Sequence, residues 1–306
     1  MRKRRVPPQL YFVVSAVFHY LGPSFAVLLF ARVQVLGVAW LRIASAAVVF
    51  ALWRKPWRVF GGLDRATIRL LAVWGAVLAA MNCCFYEAIA RLPLGTVAAI
   101  EFLPVVVLAA VGVRTPRNAL ALALAVAGVY ELSHVELTAE PLGFAFAFAN
   151  AALFATYIVL AHRVARHPAV TGIDGLGVAM LIAAVVVTPV AGPHAAQAFT
   201  DPVALAAGIG VGICSSVIPY VTDQLAMANL SRAAYSLMVA LLPAVATAIG
   251  VIVLTQLPTA AELAGVALVA GGVAVHREMD EDAGALQSCS GKEYGRANPA
   301  NWRESA

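Results

Sequence analysis

Charged residues are scarce in this chain of 306 residues: Lys, Arg, Asp and Glu together make up only 12% of it. Hydrophobic residues make up 62%, whereas soluble domains are about half apolar and about a quarter charged. The apolar excess runs along the whole chain and cannot be buried in one water-soluble core. The composition therefore excludes an ordinary soluble domain and predicts a membrane protein with several spans.

Several motifs of enzymes and nucleotide-binding proteins are also absent. The sequence has no Walker lysine motif, so ATP-driven transport by this chain alone is not expected. It has neither a His-Glu-x-x-His nor a Gly-x-Ser-x-Gly motif, which disfavours an intramembrane hydrolase. Gly208, Gly210 and Gly212 do not complete a dinucleotide fingerprint, and close helix packing explains them. We expect neither an enzyme nor a bound cofactor.

The few cysteines and the net charge exclude two further classes. The four cysteines show no disulfide spacing, and no His or Cys stands at ligand spacing beside Cys83 and Cys84. We therefore expect no metal site. The net charge of +5 does not come from a basic stripe. Because the basic residues lie between apolar segments, where they set membrane orientation, no nucleic acid partner is expected.

The chain contains ten apolar segments, each near the length of about 20 residues that a membrane-spanning helix needs. They lie near 10–30, 35–52, 70–90, 94–113, 118–134, 142–161, 173–190, 203–228, 233–254 and 260–275. With ten spans, the loops on one side hold only Arg32 and Arg91, and the loops and tails on the other side hold many more basic residues. This asymmetry predicts a multi-pass plasma-membrane protein with both termini in the cytoplasm.

The number of spans also predicts an internal repeat. Five spans in each half is an odd number, so the second half enters the membrane from the opposite face, as in many secondary transporters. The predicted fold is an all-α membrane protein with two inverted five-helix repeats, at residues 1–138 and 139–276. A shift of 139 residues superposes Pro104 on Pro243. Residues 277–306 are polar and are predicted to form a disordered cytoplasmic tail.

Several short motifs follow one another along the chain. They are Gly37-Val38 with Leu41-Arg42, Lys55-Pro56-Trp57, Met81-Asn82 with Phe85-Tyr86, Pro93-Leu94-Gly95 with Glu101-Phe102, His134-Val135-Glu136-Leu137-Thr138, Tyr157-Ile158 and Pro219-Tyr220. In this order and spacing, they resemble the threonine/homoserine exporter branch of the drug/metabolite transporter (EamA) superfamily. The resemblance covers residues 20–275 and implies ten spans in two inverted halves. It also implies export of small amino acids or other metabolites in exchange for protons.

The chain departs from the family's pattern at positions that often carry charge. Val27 stands where the family often has a Lys, and Leu242 stands where a Glu can precede the late proline. Thr255 and Gln256 replace a Gly-Glu pair near the end of the ninth predicted span. These changes bear on the substrate more than on the fold.

Glu101 and Arg42 are the main candidate site residues. Both are predicted to lie at a similar depth, Glu101 in the fourth span and Arg42 in the second. A carboxylate inside a membrane is costly unless it faces a wet cavity or a partner. Either the two form a structural ion pair, or an unpaired Glu101 accepts a proton or a substrate amine. Arg42 does not deprotonate, so it has a structural role or contacts a substrate carboxylate.

The eighth predicted span contributes a second group of candidates. Ser216, Tyr220 and Asp223 share one face of an α-helix, and Pro219 is predicted to kink the helix beside them. A polar stripe that faces lipid is costly, which favours a cavity face. Asp223 lies near the cytoplasmic end, where pairing with Arg232 is the alternative.

Three further polar residues are predicted to line the cavity or to relay protons. Asn82 and Asn150 lie inside the third and sixth spans. His19 lies inside the first span and either bonds a neighbouring helix or relays protons. Glu87 and Arg91, by contrast, are four residues apart near the outer end of the third span, and an ordinary helix ion pair is expected there.

Pro104 and Pro243 are predicted to kink the fourth and ninth spans. A proline has no N–H, so Pro104 leaves the carbonyl of Ile100 without its helical donor. In lipid, such a free carbonyl is tolerated only where protein or water satisfies it. Broken helices in corresponding places of two halves point to a transporter binding site.

Together these features predict a secondary active transporter that exports a small metabolite, such as threonine or homoserine, by proton antiport and alternating access. Incoming protons would compete with the substrate for Glu101 or Asp223. The expected partners are the small-molecule substrate, protons and the lipid bilayer, and a homodimer is left open. One alternative is an exporter of drugs, purines or sugars. A membrane enzyme or an assembly scaffold is an alternative from another class.

Overall fold

Every regular element of the described structure is helical. The structure is a computed structural model, and it describes residues 8–60, 63–112, 115–136, 140–165, 170, 172–222 and 241–275. A helix satisfies its backbone N–H and C=O groups internally, as a lipid environment requires. The predicted all-α class is confirmed for these residues. The predicted tail at 277–306 lies outside them.

The helices are numbered here in chain order. They are α1 (Pro8–Leu29), α2 (Val35–Arg54), the short α3 (Trp57–Phe60), α4 (Arg65–Ile89), α5 (Leu94–Gly112), α6 (Pro116–Glu136), α7 (Pro141–Ala165), α8 (Gly172–Ala191), α9 (Pro202–Gly212), α10 (Leu242–Leu254) and α11 (Ala260–Val275). A 3₁₀ segment, Pro193–Phe199, connects α8 to α9. After α9 the chain continues as a π-helical segment, Ile213–Val217, and then as α-helix through residues 218–222.

Six of the helices are long and apolar enough to cross a membrane. These spans are Leu10–Leu29, Val35–Arg54, Arg65–Ile89, Pro141–Ala161, Ile173–Ala191 and Pro202–Thr222. They coincide with the first, second, third, sixth, seventh and eighth predicted spans, so the chain is a multi-pass membrane protein. The other four predicted spans fall on α5, α6, α10 and α11. In α5, α10 and α11 the described apolar part has only 10 to 17 residues, and the count of ten spans stays a prediction.

Side chains at the helix starts explain where several helices begin. Asp64 caps α4 and accepts a hydrogen bond from a backbone N–H in its first turn at 3.1 Å. Asp201 caps α9 and accepts from two backbone N–H groups at 2.9 and 3.1 Å. Before α11, Thr259 and Glu262 each accept a hydrogen bond from the other's backbone N–H. This reciprocal arrangement is a capping box.

The helices pack closely through small residues and through polar bonds at their ends. Gly128 and Gly272 bring α6 and α11 so near that a Cβ on Gly272 would lie 2.7 Å from the carbonyl oxygen of Ala121. Such contacts are typical of helix packing in membranes. Near the C-terminal end of α4, Glu87 and Arg91 form the expected ion pair at 2.5 Å, which confirms that prediction.

Helices α2 and α8 lie antiparallel and are joined at both ends. At one end, Arg54 and Asp174 form an ion pair at 2.8 Å. At the other end, Trp40 Nε1 donates to Thr188 Oγ1 at 2.8 Å. These bonds hold α2 in place, and α2 carries Arg42 into the interior.

Candidate functional site

One cavity brings together polar residues from six helical segments that are far apart in the sequence. It encloses about 440 Å³ of empty space, including its open mouth. Its lining residues are His19 and Pro23 (α1), Arg42 (α2), Met81, Asn82 and Phe85 (α4), Glu101 (α5), Asn150, Phe154 and Tyr157 (α7), and Tyr220 (after α9). The cavity thus collects most of the polar candidates that the sequence singled out.

Glu101 is the acidic residue of this cavity. It lies on α5 and is only 6% exposed, and its Oε1 accepts a hydrogen bond from Asn150 Nδ2 at 3.2 Å. Its other oxygen, Oε2, is buried and has no hydrogen-bond partner among the described residues. Asn150 is 0% exposed, and its Oδ1 is likewise without a partner among them. These two bonded residues therefore each keep one buried acceptor oxygen without a partner among the described residues.

Arg42 is the basic residue of the cavity and is 5% exposed. Its Nε donates to Ser216 Oγ at 3.0 Å, and its Nη2 donates to the carbonyl of Ser215 at 3.2 Å. The guanidinium also lies 5.5 Å from the centre of the Tyr86 ring, in cation–π contact. Within the described chain, no ion pair joins Arg42 to Glu101. The reading in which the two form a structural pair is therefore not supported.

Pro219 explains why the Ser215 carbonyl is available to Arg42. In an α-helix, the N–H of residue 219 would donate to that carbonyl, but proline has no N–H. Arg42 donates to it, and Ser15 Oγ donates to the carbonyl of Pro219 at 3.2 Å. The sequence predicts a kink at Pro219, and the structure has the π segment Ile213–Val217 just before it. Such segments are frequent at functional sites.

The remaining polar candidates have different surroundings. His19 lines the cavity, and its ring meets that of Tyr20 edge-on at 5.1 Å. Asn82 also lines it, while its Nδ2 donates to the carbonyl of Leu78 at 2.8 Å. Ser216 contacts the cavity only through Arg42, whereas Tyr220 lines it directly. Asp223 and its alternative partner Arg232 lie outside the described residues.

The other two prolines lie at different positions in their helices, and the kinks expected at them stay predictions. Pro104 lies inside α5, which continues through it from Leu94 to Gly112. Pro243 is the second residue of α10. A missing N–H costs little there, because the N–H groups of the first turn have no acceptor within the helix. Residues 223–240 are not described, so a kink at Pro243 stays a prediction.

The cavity also has an aromatic wall, of which the sequence analysis names only Tyr157, as part of a family motif and not as a lining residue. Phe154 and Tyr157 line the cavity and stack with ring centres 6.3 Å apart. Tyr157 also packs on Trp74, with ring centres 5.7 Å apart. Phe154 and Tyr157 follow Asn150 by four and seven residues, and this spacing places all three on one face of α7. That spacing was the signal that could have found them.

A second cleft lies where α5, α10 and α11 meet. Its polar residues have structural partners: Gln256 Oε1 accepts from the backbone N–H of Leu94 at 3.1 Å, and Glu262 belongs to the capping box before α11. Gln256 is one of the departures from the family's pattern. In this chain it caps the first turn of α5, so the change affects helix packing outside the cavity.

Sequence comparisons place the chain among transporters. Residues 141–276 match the EamA-like transporter family. Over 251 residues, the chain is 31% identical to the threonine/homoserine exporters RhtA of Escherichia coli K12 and of Salmonella typhimurium LT2, covering 79% of this chain and 81% of each relative. One crystal structure has a similar fold at 20% identity with a TM-score of 0.54, covering 88% of this chain and 96% of the other.

Proposed function

We propose that this chain, which belongs to the EamA-like transporter family of the drug/metabolite transporter superfamily and to its threonine/homoserine exporter branch, exports a small amino acid such as threonine or homoserine. Transport is secondary, by proton antiport. One observation carries the proposal: Glu101 lines the cavity and keeps one buried oxygen without a partner among the described residues. The names of the relatives make threonine and homoserine the first substrates to test.

Glu101 couples the proton to the substrate because both need the same oxygen. A buried carboxylate without a counter-charge is costly, so the loaded site holds either a proton or a substrate ammonium. A change of conformation is then least favourable when the site is empty and Glu101 is charged. Exchange of one proton for one ammonium follows from this competition.

Alternating access is proposed to arise from two inverted five-helix halves. The first half is α1, α2, α4, α5 and α6, and the second is α7 to α11. The helix contacts support this division, because contacts recur at equivalent places. In the order of the chain, α1, α2, α4 and α5 correspond to α7, α8, α9 and α10. The contacts of α9 with α1 and α2 therefore correspond to those of α4 with α7 and α8, and the contact of α1 with α10 corresponds to that of α7 with α5. Arg42 and Glu101 come from one half, and Asn150 and Tyr220 come from the other.

In this arrangement the site lies between two bodies that rock against each other. Rocking would open the cavity to one side of the membrane and then to the other. The basic residues of the sequence favour cytoplasmic termini, with the amino acid leaving the cell as protons enter.

A second candidate substrate class is favoured by the aromatic wall. Phe154 and Tyr157 offer flat faces on which a purine or an aromatic drug would stack. Export of such compounds uses the same cavity and the same carboxylate. The matching family and the relatives are transporters, which favours both of these candidates over an enzyme or a scaffold.

A substrate panel tests the proposal. The purified full-length chain is placed in liposomes with an acidic interior, and uptake of labelled threonine, homoserine, adenine and glucose is measured. We expect threonine and homoserine to accumulate against their gradients. Accumulation of adenine alone would favour the second candidate. Absence of concentrative uptake for all four, in liposomes that hold their pH gradient, would overturn the proposal.

A further inference from the structure

We infer that the cavity recognises the head group of an α-amino acid at two separate poles, with Arg42 binding the carboxylate and Glu101 together with Asn150 binding the ammonium. This inference rests on the proposed function and makes it more specific. It assigns the choice of substrate class to Arg42 and Asn150. The side chain of the substrate would be left to the rest of the cavity.

The ammonium pole consists of two buried oxygens. The bond from Asn150 Nδ2 to Glu101 Oε1 fixes the orientation of the amide, because only the NH₂ group can donate. Asn150 Oδ1 and Glu101 Oε2 remain, both buried and both without a partner among the described residues. Buried acceptors in this state are costly until a donor arrives. An ammonium group has three N–H donors and one positive charge, so it satisfies both oxygens and neutralises the carboxylate.

The carboxylate pole is the guanidinium group of Arg42. A guanidinium has five N–H donors in a rigid fork. Two described bonds, to Ser216 Oγ and to the carbonyl of Ser215, use Nε and Nη2, and neither of them uses Nη1. The Tyr86 ring and the two bonds to residues 215 and 216 hold the group in place. A tether between α2 and the π segment would need only these two bonds, whereas Arg42 also lines the cavity.

A zwitterion carries both of the charged groups that these poles would bind. Arg42 and Glu101 line one cavity, yet no ion pair within 4.0 Å joins them in the described chain. A ligand with adjacent carboxylate and ammonium groups can bind both at once, and the site is neutral when it is occupied. A ligand that lacks either group leaves a buried charge without a counter-charge. The apolar residues Met81, Phe85 and Phe154 then face the side chain and tolerate variation there.

The test compares threonine with two of its fragments. One is 1-amino-2-propanol, which lacks the carboxylate, and the other is 3-hydroxybutyrate, which lacks the ammonium. Their Kd values for the purified full-length chain are measured by calorimetry at neutral pH. The wild-type chain should bind threonine at least about tenfold more tightly than either fragment, since hydrogen bonds to charged groups are strong.

Two variants assign the poles. Arg42→Gln should weaken threonine and 3-hydroxybutyrate at least about tenfold and leave 1-amino-2-propanol unchanged. Asn150→Ala should weaken threonine and 1-amino-2-propanol and leave 3-hydroxybutyrate unchanged. Ser45→Ala and Thr156→Ala are the matched controls, because each hydroxyl bonds only its own helix, α2 or α7. Neither control should change any Kd.

Three results would contradict the inference. Equal wild-type affinity for threonine and 1-amino-2-propanol would overturn the carboxylate pole even if Arg42→Gln does not fold. Loss of all three ligands to the same degree in a folded Arg42→Gln would make Arg42 structural. Both results leave the proposed export of amino acids intact. Failure of the wild-type chain to bind any of the three would overturn the proposed function as well.

Discussion

Arg42 and Glu101 lie in one cavity without pairing, and each charged group bonds a polar group from the other half of the chain. Arg42 donates to Ser216 Oγ and to the carbonyl of Ser215, and Glu101 accepts from Asn150. Neither charge therefore relies on the other for a partner. We propose that both groups bind the substrate.

The first prediction is that the two charges contribute independently to stability. Glu101→Gln should fold normally, because a glutamine oxygen can still accept from Asn150 and no buried charge is lost from a pair. Arg42→Gln should lower the free energy of unfolding by about 1–3 kcal/mol through its lost bonds. The double variant should show the sum of the two effects, measured by membrane abundance and thermal unfolding in detergent. The prediction fails if the double variant is much more stable than Arg42→Gln alone, by more than the effect of Glu101→Gln on its own. That result would mean that the two charges interact as an ion pair.

The second prediction concerns the packing of α6 against α11, where two adjacent glycines form a matched pair. A Cβ on Gly272 would lie 2.7 Å from the carbonyl oxygen of Ala121, whereas a Cβ on Gly271 would meet nothing within 4 Å. Gly272→Ala should therefore destabilise the chain by about 1–3 kcal/mol. Gly271→Ala should be neutral or slightly stabilising, since alanine favours helix. Thermal unfolding and membrane abundance check this, and equal behaviour of the two variants would contradict the close contact.

The third prediction is a pH dependence at the start of α9. The backbone N–H of Ala204 and the Arg32 side chain lower the pKa of Asp201 below its usual value. A carboxyl group whose pKa is lower in the folded state stabilises the fold at higher pH, and this stabilisation is lost as the pH falls through its folded pKa. Asp201→Asn should thus lower the unfolding temperature slightly at neutral pH, and the difference from wild type should shrink below about pH 4. A difference that stays constant down to acid pH would mean that the charge of Asp201 contributes nothing.

The fourth prediction compares the effect on transport of replacing Pro219 with that of replacing a proline away from the cavity. Pro219→Ala restores an N–H that competes with Arg42 for the Ser215 carbonyl, and it favours α-helix over the π segment. Transport of threonine should fall more than membrane abundance does. Pro189→Ala, in α8 and away from the cavity, is the control and should leave transport unchanged. Unaltered transport in Pro219→Ala would show that the proline only serves packing.

The sequence predicts the helices well because lipid leaves few other choices. A long apolar segment must satisfy its backbone internally, so its length and hydropathy locate the helix without knowledge of its neighbours. Charged residues such as Glu101 and Arg42 stand out against an apolar background, and this contrast identifies them as candidates.

Partners and apolar lining residues are harder to predict from the sequence. Arg42 bonds Ser215 and Ser216, more than 170 positions away in the chain, through a π segment that changes the helical register. No local pattern reports such a contact. The sequence does not identify Phe154 and Tyr157 as lining residues, because an aromatic side chain in an apolar span is more often part of the core. Hydropathy alone does not locate helix ends: it predicts one span around Pro243, and the described helix begins at Leu242.

The most direct test of proton-coupled export is threonine uptake into acid-interior proteoliposomes by wild type, Glu101→Gln and a control. The control is Glu131→Gln, which changes an exposed carboxylate on α6 away from the cavity. Uptake is normalised to the amount of folded protein and measured with and without the pH gradient. We expect wild type and Glu131→Gln to accumulate threonine when the gradient is imposed. Glu101→Gln should be present at normal abundance but should not accumulate threonine when the gradient is imposed, because glutamine cannot ionise. Normal abundance of Glu101→Gln with unaltered proton-driven uptake would contradict the account.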